Sequence, residues 1–135
     1  MDLFESLVPR ERLHKNFSYI SESGAHPAAR RLLQKTFELL PKPDGNFVLD
    51  FQTSGFDARI WELYLAAFFH SVGLSIAQPH DRPDFLLSCP KGEVWVESSF
   101  SSSWLATTTI SLNPRSKYSF KNQLIVYHLS CKFKP

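Results

Sequence analysis

Apolar residues recur along part of the chain with helical spacing. In residues 26–40 they fall on one helical face, and Pro41 and Pro43 then end the helix. In residues 57–72 they cover nearly every face, which is typical of a helix buried inside a domain. Gly73 follows directly and is a natural residue for the end of that helix. The pattern therefore predicts two helices.

Shorter apolar runs predict strands. Residues 46–52 alternate imperfectly between apolar and polar positions and predict a short strand, and residues 74–77 predict another. Residues 84–88 and 93–98 are apolar runs separated by the turn signal at residues 89–92. These two runs and their turn predict a β-hairpin.

The two ends of the chain carry weaker patterns. Residues 1–22 are short apolar pieces broken by Pro9 and by charges, which predicts an N-terminal arm with one helical turn. Eight of the twelve residues 98–109 are Ser or Thr, which predicts a polar loop or an exposed edge. Residues 122–129 are apolar enough to form a last strand.

These elements predict an α/β fold with a small mixed sheet on which the helix of residues 57–72 packs. A chain of 135 residues suits one domain, so residues 1–135 are expected to form a single unit. Within it, residues 44–99 form the core and residues 100–135 an atypical C-terminal segment. Residues 99–121 show no helical pattern, so a truncated or replaced C-terminal part is an open hypothesis.

Composition and charge exclude several classes of protein. Apolar residues are 43% and charged residues 21% of the chain, which is typical of a globular domain and not of a disordered one. The net charge of +2 does not by itself indicate nucleic-acid binding. Two cysteines without CxxC spacing exclude a disulfide framework. No apolar run approaches the roughly 20 residues that span a bilayer. A cytoplasmic protein without a membrane partner is expected.

Two carboxylates flank the predicted hairpin. Four residues separate Asp84 from the turn, and four separate Glu97 from it. In an antiparallel hairpin, equal offsets place two residues side by side, about 5 Å apart. Carboxylate oxygens are ligands that Mg²⁺ accepts, together with waters and a substrate phosphate. The spacing therefore predicts that Asp84 and Glu97 lie side by side, an arrangement in which two carboxylates can share one ion.

The surroundings of these two acids resemble a known nuclease motif. Asp84 follows Pro83, and thirteen residues after Asp84 the triplet ESS begins with Glu97. The preceding helix carries Glu62 within the run RIWELYLAAFF. A helix acid, a PD hairpin and a second acid in this order resemble the PD-(D/E)XK, or restriction-endonuclease-like, nuclease superfamily. Residues 44–97 also look like a group of bacterial proteins of unassigned function that share this core.

The resemblance implies a restriction-endonuclease-like core and a Mg²⁺-dependent enzyme that hydrolyses phosphodiester bonds in DNA. It implies that Asp84 and Glu97 hold the metal ion and that Glu62 assists, directly or through water. Without the resemblance, each of the three acids could also have a role that does not involve a metal ion. Asp84 could simply begin a strand, Glu97 could be a solvated polar residue, and Glu62 could pair with Arg59 three positions earlier.

The chain departs from the family pattern at the catalytic lysine. The family places a lysine two residues after the second acid, where this chain has Ser99, which supplies no positive charge. Lys91 lies in the predicted turn, roughly 20 Å from Glu97 along an extended strand. Lys117 and Lys121 follow the motif and could fold back towards it. Two rival hypotheses follow: a catalytically inactive nuclease-fold module for binding or assembly, and a fragment without a function of its own.

Overall fold

The computed structural model describes residues 1–22, 24, 26–77, 84–89, 92–101, 105–113 and 116–121. They belong to two compact units, Met1–Phe68 and Phe69–Pro135. Helices and strands are both present, which confirms the α/β class. That the whole chain is one domain stays a prediction, and each unit is described by itself below.

Four α-helices and five strands lie in the described residues. The helices are α1 (Lys15–Glu22), α2 (Pro27–Phe37), α3 (Phe47–Gln52) and α4 (Phe56–Ser71), and the strands are β1 (Ser75–Ala77), β2 (Phe85–Cys89), β3 (Gly92–Ser101), β4 (Leu105–Asn113) and β5 (Ser116–Lys121). A 3-10 turn, Arg10–Arg12, precedes α1. α2 and α4 confirm the two helices predicted from apolar spacing.

The first 22 residues are an integral part of the first unit. Leu3 is fully buried, and Phe17 of α1 is 1% exposed. Tyr19, two positions after Phe17, is 65% exposed, so α1 has one buried and one solvent-facing side. The predicted arm is therefore a helix and a docked segment, with more helix than the single turn expected from the sequence.

α3 occupies the segment that was predicted to be a strand, so that prediction is wrong. Its buried residues are Phe47, Val48, Phe51 and Gln52, a spacing that forms one helical face. Asp44 begins the turn: its carboxylate Oδ1 accepts the backbone N–H of Asn46 at 2.7 Å. This local hydrogen bond and the tertiary burial outweigh the β-propensity of a run as short as six residues.

Phe51 is the centre of an aromatic core in the first unit. Its ring centroid lies 6.0 Å from that of Phe4, 5.7 Å from that of Phe17 and 5.2 Å from that of Phe56. Phe51 itself is fully buried. Because these four rings come from three helices and the docked N-terminal residues, this core holds the parts of the unit together.

α4 ends as the sequence predicts. Gly73 has a φ of +75°, a left-handed conformation that glycine adopts without steric cost. Its N–H donates to the carbonyl of His70, and the N–H of Leu74 donates to the carbonyl of Phe69, both at 3.0 Å. This pair of bonds is the Schellman motif, which satisfies the last carbonyls of a helix.

Replacing Gly73 with alanine is expected to lower the free energy of unfolding by about 1–2 kcal/mol, because a Cβ is unfavourable at positive φ. Gly45→Ala is the matched control, since a Cβ at Gly45 meets no atom within 4 Å and its φ is ordinary. Urea denaturation of both variants measures the difference. Equal losses for the two variants would contradict the role of Gly73 as a helix cap.

The described strands form one antiparallel sheet in the order β1-β2-β3-β4-β5. The hairpin of β2 and β3 and the short strand β1 confirm the sequence predictions. Every pairing among the described strands is antiparallel, so they do not form the mixed sheet that was expected. The strand predicted at residues 122–129 lies outside the described residues.

The described part of the Ser/Thr-rich run lies in two strands, so the prediction of a polar loop is wrong there. It forms the end of β3 and much of β4, in which Ser98 pairs with Thr108 and Ser99 with Thr107. Threonine is β-branched and favours strands, and cross-strand Thr–Ser pairs stabilise a sheet. The polar composition of this run therefore did not indicate its tendency to form strands.

The hairpin has one buried face. Phe85 and Leu87 of β2 and Val94 and Val96 of β3 are all 3% exposed or less. In the register Phe85 pairs with Val96, and Leu87 with Val94. The alternate residues, such as Trp95, are more exposed. This alternation fixes the register, because a slip of one residue would expose the whole apolar set.

Candidate metal-binding site

The β2–β3 register ends one residue short of the two predicted metal ligands. Its pairs run from Cys89 opposite Gly92 to Phe85 opposite Val96, and Asp84 lies in the bend just before β2. An extension of this register by one residue would set Asp84 opposite Glu97, so their pairing stays a prediction. Facing residues of an antiparallel pair lie about 4.5–5.5 Å apart between their Cβ atoms. Two carboxylates at this separation are close enough to bind one ion.

Both acids are half-buried. Strand alternation puts Glu97 on the face of β3 opposite to Val96, which is fully buried. Asp84 lies in the bend before β2, directly ahead of the buried Phe85. Neither acid is therefore part of the apolar core of the hairpin.

The number of ligands fits some metal ions and not others. In the part of the chain that the structure describes, no group of three or more His, Cys, Asp or Glu side chains is arranged to hold a metal ion. A closed structural zinc site, which needs four protein ligands, does not fit this pair. Mg²⁺ fits, because it keeps several waters and takes only one or two carboxylates from the protein.

Glu62, the third predicted site residue, belongs to the first unit, whereas Asp84 and Glu97 belong to the second. Its side chain is 9% exposed, and its Oε2 accepts Arg59 Nη1 at 2.9 Å. The ion pair with Arg59 that the sequence left as an alternative is thus confirmed. A role for Glu62 beside the metal pair stays a prediction.

Arg59 is the charged centre of the first unit, and the sequence predicted only one of its partners. Besides Glu62, its Nη2 donates to Asp44 Oδ2 at 2.5 Å and to Asp50 Oδ2 at 2.7 Å. The guanidinium carbon lies 4.8 Å from the ring centroid of Phe47. One guanidinium thereby joins α4 to α3 and to the turn before it.

The environment of Arg59 keeps it charged. Burial alone would lower the pKa of this guanidinium, but hydrogen bonds to Asp50 and Glu62, and the charges of Glu62 and Asp44, outweigh burial and raise its pKa above the ordinary value. Because the side chain is only 17% exposed, water competes poorly for these bonds. Arg59 therefore has a structural role, since its three ion pairs join parts of the first unit.

The register also locates one of the alternative lysines. Ser99, at the position where the family has its lysine, pairs with Thr107, and Thr107 pairs with Lys121. Lys121 therefore lies in the same cross-strand row as Ser99, two strands away, or about 10 Å between backbones. Lys117 is also in β5. Lys91 lies outside the described residues.

Comparison of the chain with protein-family models, with curated proteins and with solved structures gave no match. The resemblance to PD-(D/E)XK nucleases thus depends on the motif residues alone. Among the described helices, none is long and apolar enough to cross a membrane.

Proposed function

We propose that this protein is a Mg²⁺-dependent, nuclease-like protein that hydrolyses phosphodiester bonds in DNA, with Asp84 and Glu97 as the ligands of the metal ion. The observation that supports the proposal is the hairpin register, which runs to Phe85 opposite Val96 and whose extension by one residue would set Asp84 opposite Glu97. Their half-buried position and the number of carboxylates suit a hydrated Mg²⁺.

The two carboxylates would bind and orient the ion at the edge of a rigid hairpin, where strand pairing limits their movement. The bound ion would lower the pKa of a water molecule and offset negative charge on the phosphate. Glu62 is proposed to assist, and its Oε2 also accepts Arg59 Nη1 in an ion pair.

A second function is favoured by two observations, namely Ser99 in place of the motif lysine and the engagement of Glu62 by Arg59. Without a cation beside the scissile phosphate, stabilisation of the transition state is reduced. The same fold would then serve as a catalytically inactive module for binding or assembly, with or without a bound metal ion.

Metal binding is tested by thermal unfolding in a Mg²⁺ titration. At ten times the dissociation constant, Mg²⁺ is expected to stabilise the wild type by about 1.4 kcal/mol, which is about 5 °C in Tm. Asp84→Asn and Glu97→Gln should lose this shift. Glu93→Gln is the matched control, because Glu93 is an exposed acid on the same strand, opposite Ser88. No shift for the wild type at millimolar Mg²⁺ rules out the metal site.

Catalysis is tested by incubating plasmid DNA with Mg²⁺ or Mn²⁺ and the wild type, Asp84→Asn or Glu93→Gln. The nuclease hypothesis expects cleavage by the wild type and by Glu93→Gln, and loss of at least about 100-fold in Asp84→Asn. Equal background cleavage by all three proteins would contradict it. A Mg²⁺-dependent Tm shift without cleavage would instead support the inactive module.

A further inference from the structure

Residues 1–8, called here the docked segment, are held by two glutamine side chains. Gln34 accepts the N–H of Leu3 at 2.8 Å through Oε1 and donates to the carbonyl of Met1 at 3.2 Å through Nε2. Gln52 accepts the N–H of Leu7 at 2.8 Å and donates to the carbonyls of Leu3 at 3.3 Å and Glu5 at 2.7 Å. The two amides thus bind the backbone of alternate residues.

Apolar side chains complete the contact. Leu3 is fully buried, and the ring of Phe4 lies 5.9 Å from that of Phe17 and 6.0 Å from that of Phe51. By contrast, Met1 is 88% and Leu7 is 54% exposed. The surface that receives the segment, called here the glutamine groove, is defined by Gln34, Gln52, Phe17 and Phe51. It contacts apolar side chains at the Leu3 and Phe4 positions and binds the backbone at alternate residues of the segment.

Gln52 shows how the groove binds a peptide backbone. With the segment docked the residue is fully buried, and every hydrogen bond that the structure gives its side chain goes to residues 3–7. A buried amide needs such partners, and backbone groups of the segment supply them in place of water. The hydrogen-bonding groups of this surface are therefore matched to a peptide.

The connection between the docked segment and the rest of the unit is exposed. Pro9 is extended, with φ −64° and ψ 154°, and the Arg10–Arg12 turn that follows contains no buried residue. The hydrogen bonds from the groove join residues that are 31 to 49 positions apart in the chain. The segment is therefore bound as a tethered ligand and does not extend a helix or a strand of its own unit.

We propose that the glutamine groove is a peptide-binding site and that residues 1–8 of a second copy of this chain can occupy it, giving dimers that exchange their docked segments. Each copy carries both the groove and its ligand, and exchange reproduces the same contacts. The cost of exchange is therefore the translational and rotational entropy that two chains lose when they associate. The groove belongs to the unit Met1–Phe68, so this inference is independent of Asp84 and Glu97.

Two complementary full-length variants test the exchange. Leu3→Asp places a charge at the fully buried position of the segment and leaves the groove intact. Gln52→Leu fills the buried amide position with an apolar side chain and leaves the segment intact and released. Each variant alone is expected to be monomeric. An equimolar mixture should give a heterodimer of twice the mass by size-exclusion chromatography with light scattering.

Leu7→Asp mixed with Gln52→Leu is the matched control. It carries the same charge on the same segment at an exposed position, so its groove stays filled and no heterodimer should form. If Leu3→Asp does not fold, Leu3→Ala takes its place with the same readout. The synthetic peptide MDLFESLV should then bind the Leu3 variant at least about tenfold more tightly than the same peptide with Asp at its third position. Monomers in every mixture together with equal binding of both peptides would overturn the proposal.

Discussion

Replacing Arg59 with methionine is expected to lower the free energy of unfolding by about 3–5 kcal/mol, because it removes the guanidinium from three ion pairs, one of them with a buried carboxylate. The pair with Glu62 is expected to contribute most, since the Glu62 side chain is 9% exposed, whereas Asp44 and Asp50 are about 40% exposed and can be hydrated. The loss is a large part of the about 5–15 kcal/mol that stabilises an ordinary domain. Urea denaturation followed by circular dichroism measures it.

Two controls separate the buried network from surface charge. Arg10 makes one ion pair with Glu22, in which the side chains are 77% and 44% exposed, so Arg10→Met should change the stability by less than about 1 kcal/mol. In the double variant Arg59→Met/Glu62→Met the buried charge disappears with its partner, and part of the stability should return. If the double variant is less stable than Arg59→Met alone, the buried pair between Arg59 and Glu62 is not the main source of the loss.

Phe51→Ala is the second variant with a large expected effect, a loss of about 3–5 kcal/mol. The ring is fully buried and lies within about 6 Å of three other rings, so truncation leaves a cavity that its neighbours cannot fill without moving. Leu49→Ala is the control on the same helix. Leu49 is 36% exposed, and its truncation should cost a fraction of that amount. Similar losses for both would show that α3 contributes through its helix and not through its aromatic contacts.

Local signals in the sequence were sufficient to predict where α4 ends and how the strands of the hairpin pair. A glycine directly after a long apolar run placed the end of α4 within two residues, because the left-handed cap requires glycine. Counting residues from the turn predicted the register from Cys89 opposite Gly92 to Phe85 opposite Val96, because the turn determines hairpin pairing.

The features that the sequence missed depend on tertiary contacts. α3 has only six residues, too few for its period to distinguish a helix from a strand, and burial of Phe51 and Gln52 decides its conformation. The partners of Arg59 at Asp44 and Asp50 lie 15 and 9 positions away, beyond the spacing at which residues meet on one helix. For residues 98–109 the polar composition led to the wrong prediction of a loop, because threonine is polar and yet favours strands.

The distant partners of the docked segment have a consequence for biosynthesis. Residues 1–8 are translated before Gln52, which follows 45 to 49 positions after the backbone groups that it binds. At about 5–20 residues per second, the segment waits roughly 2–10 s before its second glutamine is made. On a crowded polysome, a neighbouring nascent chain can capture it during that interval. The proportion of exchanged copies would then depend on translation rate and on ribosome spacing as well as on equilibrium.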